Sequence, residues 1–104
     1  MKNSNAIQDV INERRRQKIV EGWDDSHDDE YVHGELSGAA ACYARHVSER
    51  NFIHEPEDYP NKDIPVDWPW LDCWWKPTSP RRDLVKAAAL IIAEIERIDR
   101  SEKS

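Results

Sequence analysis

Carboxylates, guanidinium groups and indoles in one short chain are suitable groups for holding a metal-bound phosphate ligand. Three acids stand out: Asp28, Glu35 and Asp83. With a helix written from about 27 to 50, Asp28, Glu35, Cys42 and His46 share one narrow stripe at the edge of an apolar face. Asp83 shares a stripe with Ala87, Leu90 and Glu94, beside Lys86. If the helices carrying them pack antiparallel, Glu35 and Asp28 approach Asp83 or Glu94. Facing carboxylates in a helix bundle are a common way to hold a divalent cation, here expected to be Mg²⁺. Such acids cannot all stay ionised without countercharge. They therefore have a second reading, as partners of Arg81, Arg82 or Lys86, or as acceptors from Trp indole N–H groups.

Arg81 and Arg82 fall in the first turn of a helix, where positive charge is unfavourable and an anion is favoured. Free backbone N–H groups, the dipole end and two guanidinium forks then make a phosphate site together with Lys86. The alternative is a salt bridge from the arginines to the acidic stretch Asp24 to Glu30. Trp68, Trp70 and Trp75 offer faces on which a base can stack, or else a lid over the helical core. Cys42 and His46 at i, i+4 form at most half a zinc site, since His27 and His33 supply no matching second half. No spacing singles out Cys42 or Cys73 as a nucleophile.

The elements that must position these groups are helices. Ile7, Val10 and Ile11 recur at helical spacing and Arg14 and Lys18 continue their stripe with long stems, which predicts a helix over about 5–21 that stops at Gly22. Ser26 is a candidate N-cap for the second helix, over about 27–50, whose apolar face is Leu36, Ala39, Ala40, Tyr43 and Val47. Ser79 and Pro80 are the cap and first residue of a third helix over about 80–100. All six prolines lie between Pro56 and Pro80, so 51–79 is expected to be a long Pro- and Trp-rich loop with one helical turn near Leu71 to Trp75. The third helix is apolar nearly all round from Leu84 to Ile95, and two other helices can hardly enclose it. The expected fold is one all-α domain, 1–104: three main helices in a bundle completed by homo-oligomerisation, a dimer first.

Composition narrows the function. A net charge of −6 argues against a sequence-independent DNA or RNA coat, which needs basic surface. Three glycines exclude a Gly-rich phosphate loop, and two cysteines exclude a disulfide scaffold. No run reaches membrane-span length, and no signal-peptide core is present, so a cytoplasmic protein with reduced thiols is expected.

Glu13-Arg14-Arg15-Arg16-Gln17, Glu21-Gly22-Trp23, His27-Asp28-Asp29, Gly34-Glu35-Leu36, Trp68-Pro69-Trp70 and the run Arg81 to Ala87 together resemble a pattern of small phage and prophage proteins. The resemblance implies a phage accessory protein working in the cytoplasm of a bacterial host. Gly34-Glu35-Leu36 is also similar to the first metal helix of the MazG-like all-α nucleoside triphosphate pyrophosphohydrolases, with Asp83 in the place of their second-helix Asp. Tyr31, Val32 and Pro80 stand where that superfamily has glutamates. This resemblance implies a nucleotide or other phosphate ligand, held by Mg²⁺ on Glu35, Asp83 and Asp28. It further implies attack of water on a phosphoanhydride. The alternative is a counter-defence protein without catalysis, which sequesters a nucleotide signal or blocks a host protein with its acidic face.

Overall fold

The computed structural model describes residues 4–52, 56–61 and 63–103. Helix α1 spans Asn5–Ile19, α2 Asp25–Asp28, α3 Glu35–Ser48 and α4 Pro80–Lys103. Short 3-10 turns occupy Glu49–Phe52, Pro56–Asn61 and Asp72–Trp74. No strand occurs among the described residues, so the fold is all-α with three main helices, as the periodicities predict.

Two helix boundaries follow the local chemistry closely. At the end of α1, Gly22 takes φ +76° and the Trp23 N–H reaches back to the Gln17 carbonyl at 2.9 Å. At the start of α4, the Ser79 hydroxyl accepts from the Arg82 N–H at 3.4 Å and Pro80 opens the helix. The helix expected over about 27–50 is instead two helices. Gly34 sits at φ +83°, a left-handed conformation that cannot lie inside a right-handed helix, and α3 starts after it. Asp24 rather than Ser26 caps α2, accepting from the His27 N–H at 3.0 Å. Of the loop expected over 51–79, residues 53–55 and 62 lie outside the described residues, and the helical turn near Leu71 to Trp75 is the 3-10 turn Asp72–Trp74.

Helix α4 is the central element, packed most extensively on α3 and then on α1. Leu36, Ala39, Ala40 and Tyr43 of α3 meet Ala87, Leu90 and Ala93 of α4, and Trp68 and Trp75 close over them. Tyr43 stacks on Trp75 at 4.7 Å, and Trp68 meets Trp75 edge to face at 5.0 Å. The α3–α4 pair is antiparallel. Ser37 lies 3.4 Å from Glu94 at one end, while the Tyr43 ring lies under the Lys86 ammonium, 5.4 Å away, toward the other.

Helix α1 docks through Arg14 of the expected stripe, joined by Glu13 and Gln17, and leaves Ile7 outside. Its buried residues are Glu13, Arg14 and Gln17; Ile7 is 52% exposed and Val10 and Ile11 are half-buried. The polar stripe faces inward because α4 meets it with charged partners, Arg82 for Glu13 and Glu96 for Arg14.

Candidate functional site

Three local decisions of the chain build a cleft beside α2. The Gly22 reversal turns Trp23 back toward the core. The α2 turn presents His27 and Asp28, and Tyr31 follows with its N–H on the Asp28 carbonyl at 3.0 Å. In the Trp-rich segment, the Trp68 N–H donates to the Pro65 carbonyl and its indole N–H to the Leu71 carbonyl, each at 3.1 Å, which fixes Trp70 and Trp74 opposite. The resulting cleft has a volume of about 580 Å³. Trp23, His27, Tyr31, Trp70 and Trp74 wall it, with Leu36 and Asp28 among the remaining lining.

The rings form a nearly continuous wall. Trp23 lies parallel to His27 at 6.0 Å, Tyr31 stands edge-on to His27 at 5.1 Å, and Trp70 is 5.4 Å from Tyr31 and 6.3 Å from Trp23. Asp28 is only 1% exposed and is held on both oxygens, by the Arg14 guanidinium at 2.8 Å and by His27 Nδ1 at 3.2 Å. His27 Nε2 lies 3.3 Å from the Tyr31 hydroxyl. One arrangement satisfies all three groups: Nδ1–H donates to Asp28, and the Tyr31 O–H donates to Nε2. Burial, with the nearby Asp28, Glu30 and Glu35 charges, pushes the Tyr31 phenol above its ordinary value, so it stays a neutral hydroxyl.

Behind Trp23, Trp70 and Trp74 lies a second, smaller space of about 80 Å³, bordered also by Gln17, Arg16 and Lys76. Two buried polar atoms on its lining residues have no hydrogen-bond partner among the described residues: the Trp70 indole nitrogen and the Gln17 amide oxygen. Native proteins pair nearly all such atoms, with protein, water or ligand. Lys76 lies over the Trp74 ring at 5.2 Å, a cation at the rim of the aromatic wall.

Of the sequence-predicted stacking residues, Trp70 alone lines the large cleft; Trp68 and Trp75 are core. Asp83 is 0% exposed and fully engaged: it accepts from the Tyr59 hydroxyl at 2.6 Å, from the Thr78 N–H at 3.1 Å and from the Thr78 hydroxyl at 3.3 Å, and pairs with Lys86 at 3.7 Å. Glu35 accepts from the His33 N–H at 2.7 Å at the head of α3, the end at which Glu94 lies. Asp83 and Glu94 are separated by eleven residues, or ~16 Å along the axis. Glu35, Asp83 and Asp28 therefore do not converge in one protomer. No group of three potential metal ligands occurs among the described residues.

Arg81 and Arg82 pair with Asp9 and Glu13 of α1 rather than with the acidic stretch. Arg14, Lys18 and Arg100 meet Asp28, Asp25 and Asp29 of that stretch instead. Lys86 donates to the Lys76 carbonyl at 2.8 Å, and burial holds its ammonium below the ordinary lysine value against the pull of Asp83. His46 Nε2 is spent on the Tyr59 carbonyl at 2.8 Å, and burial with the Asp67 charge pushes the Cys42 thiol up to about 11. Neither is poised for zinc or for nucleophilic attack.

Sequence reasoning missed Trp23, His27 and Tyr31 as cleft residues and reached Trp74 only as part of the Trp-rich segment. A signal was there: Trp23, His27 and Tyr31 recur every four residues, the spacing that stacks side chains on one side of a helical turn. Comparison with protein-family models, curated proteins and solved structures found no match to this chain.

Proposed function

We propose that the protein is a binding module whose aromatic cleft holds a planar heteroaromatic group of the nucleobase kind, as part of a nucleotide. The observation that carries this reading is the cleft of about 580 Å³ walled by Trp23, His27, Tyr31, Trp70 and Trp74. Stacking between indoles is the interaction such a wall offers best, at ~1–3 kcal/mol per base. The Trp70 N–H, on a ring that walls the cleft and without a partner among the described residues, adds one donor for a heterocycle edge. The phosphate end of the ligand lies toward Lys76, over the Trp74 ring at the rim; Arg16, which also borders the adjoining space, is spent on Glu13 and Glu21. Pairing of Asp28 with Arg14, and of Asp83 with Tyr59, Thr78 and Lys86, supports the sequestering alternative, binding without turnover.

Calorimetric titration against nucleosides, nucleotides and cyclic dinucleotides tests it, with trimethylammonium compounds included. At least one heteroaromatic compound binds, and Trp74→Ala weakens it about tenfold or more. Trp70→Phe keeps a ring but removes the N–H and weakens binding by a smaller factor. Silence across the heteroaromatic set, or a response to trimethylammonium alone, overturns the proposal.

A further inference from the structure

Helix α4 carries a third face that neither α1 nor α3 covers. Leu84, Ile91, Ile95 and Ile98 are 47%, 49%, 53% and 39% exposed, and Ala88 between them is half-buried. Their spacing is four, three, four, three, the repeat of a coiled-coil seam. At 100° per residue they fill a sector about 80° wide. The face toward α3 holds Asp83, Ala87, Leu90 and Glu94, and that toward α1 holds Arg82, Val85, Ala89 and Glu96.

We propose that this seam pairs antiparallel with the same seam of a second copy of the chain, on a two-fold axis beside Ile91. The seam is close to its own complement about that residue: Leu84 and Ile98 lie seven residues either side, so each meets the other across the axis, while Ala88, three residues before it, and Ile95, four after it, meet one residue out of register. Charge selects the direction. Arg81 and Arg82 open α4; of the mixed charges in its last turns, Asp99 and Glu102 lie on or beside the seam, while Arg97 and Arg100 are turned to Glu94 and Asp29. Antiparallel pairing brings Arg81 of one copy beside Glu102 of the other, with the helix dipoles opposed; parallel pairing would set Arg81 against Arg81. No seam residue lines the aromatic cleft or the adjoining space, to which α4 contributes only Lys86 and Leu90 from outside the seam, so the pairing is tested independently of the ligand.

Sedimentation equilibrium and cysteine crosslinking test the proposal, the latter in a Cys73→Ser background that removes the exposed native thiol. The wild type is in monomer–dimer equilibrium, and Ile91→Cys crosslinks to a dimer under mild oxidation. Leu84→Cys alone does not crosslink, whereas a mixture of Leu84→Cys and Ile98→Cys does. Ile95→Lys shifts the equilibrium to monomer; should it unfold instead, the charge pair decides. Arg81→Glu and Glu102→Arg each weaken the dimer, by up to about fivefold, and together restore it. A wild-type monomer at all concentrations, open-ended assembly, or self-crosslinking of Leu84→Cys overturns the proposal.

Discussion

Asp83 and Glu13 illustrate what a buried carboxylate requires. Removing either from water costs several kcal/mol unless countercharge and hydrogen bonds offset it. Asp83 has Tyr59, Thr78 and Lys86; Glu13 has Arg16 and Arg82. Asp83→Ala is therefore expected to lower unfolding free energy by ~3–5 kcal/mol, because it leaves Lys86 half-buried without its partner. Urea denaturation checks this, and Asp83→Asn, which keeps an acceptor, is milder. Burial alone would raise the Glu13 carboxyl, but the hydrogen bonds from Arg16 and Arg82 outweigh it and hold the group below its ordinary 4.5. The stability it contributes is present above that value and is lost as pH falls through the lowered folded value. Glu13→Gln should flatten the acid limb of the stability profile below pH 4.5 while leaving its neutral and alkaline parts parallel to wild type. Arg82→Ala should cost ~1 kcal/mol, since the residue is over a third exposed and Arg16 remains on Glu13, and should leave cleft affinity unchanged. Thiol titration of the native protein should count one reactive cysteine, Cys73, with Cys42 joining only on unfolding.

At the scale of elements, α2 and α3 are separate because one backbone position demands it. A Cβ at Gly34 meets nothing within 4 Å, so Gly34→Ala probes conformation alone. The substitution should cost ~1–2 kcal/mol, the penalty of a left-handed residue, read as a lowered melting temperature. Nothing in a helical wheel registers this. The wheel joined Asp28 to Glu35 as if one helix carried both, and the shared stripe of acids came from that join. Where termination has strong local chemistry, at Gly22 and at Ser79-Pro80, the boundaries were legible. Helix α1 misled for another reason. Its inward face is decided by which α4 charges are available to Glu13 and Arg14, a tertiary fact that hydrophobic spacing does not carry. Hydrogen exchange should rank the elements accordingly. The first turns of α1, with Ile7 exposed, should exchange fastest among the main helices, and the middle of α4, around Ala89 and Leu90, slowest.

For the whole molecule, α4 is both the core and an uncovered surface. Its near-continuous apolar run already signalled more apolar surface than two helices cover, and that much was plain from residue types. Which sides α1 and α3 would occupy was not, because the α1 contact is made by charged pairs that apolar spacing does not carry. The aromatic residues divide in the same way. Composition located a Trp cluster, but only the fold separates Trp68 and Trp75, packed on Tyr43, from Trp23, Trp70 and Trp74 around the cleft.

The Trp68–Trp75 contact also has an optical consequence. Two indoles 5.0 Å apart at an interplanar angle of 65° couple their excited states, and an oblique pair absorbs left and right circularly polarised light unequally. The far-ultraviolet circular dichroism of this protein should carry an exciton couplet superimposed on its helical bands. Helix content read from ellipticity would then be in error, and Trp75→Phe would change the spectrum without unwinding a turn. The same couplet vanishes when the two rings part, which makes it an intrinsic reporter of core opening that needs no added label.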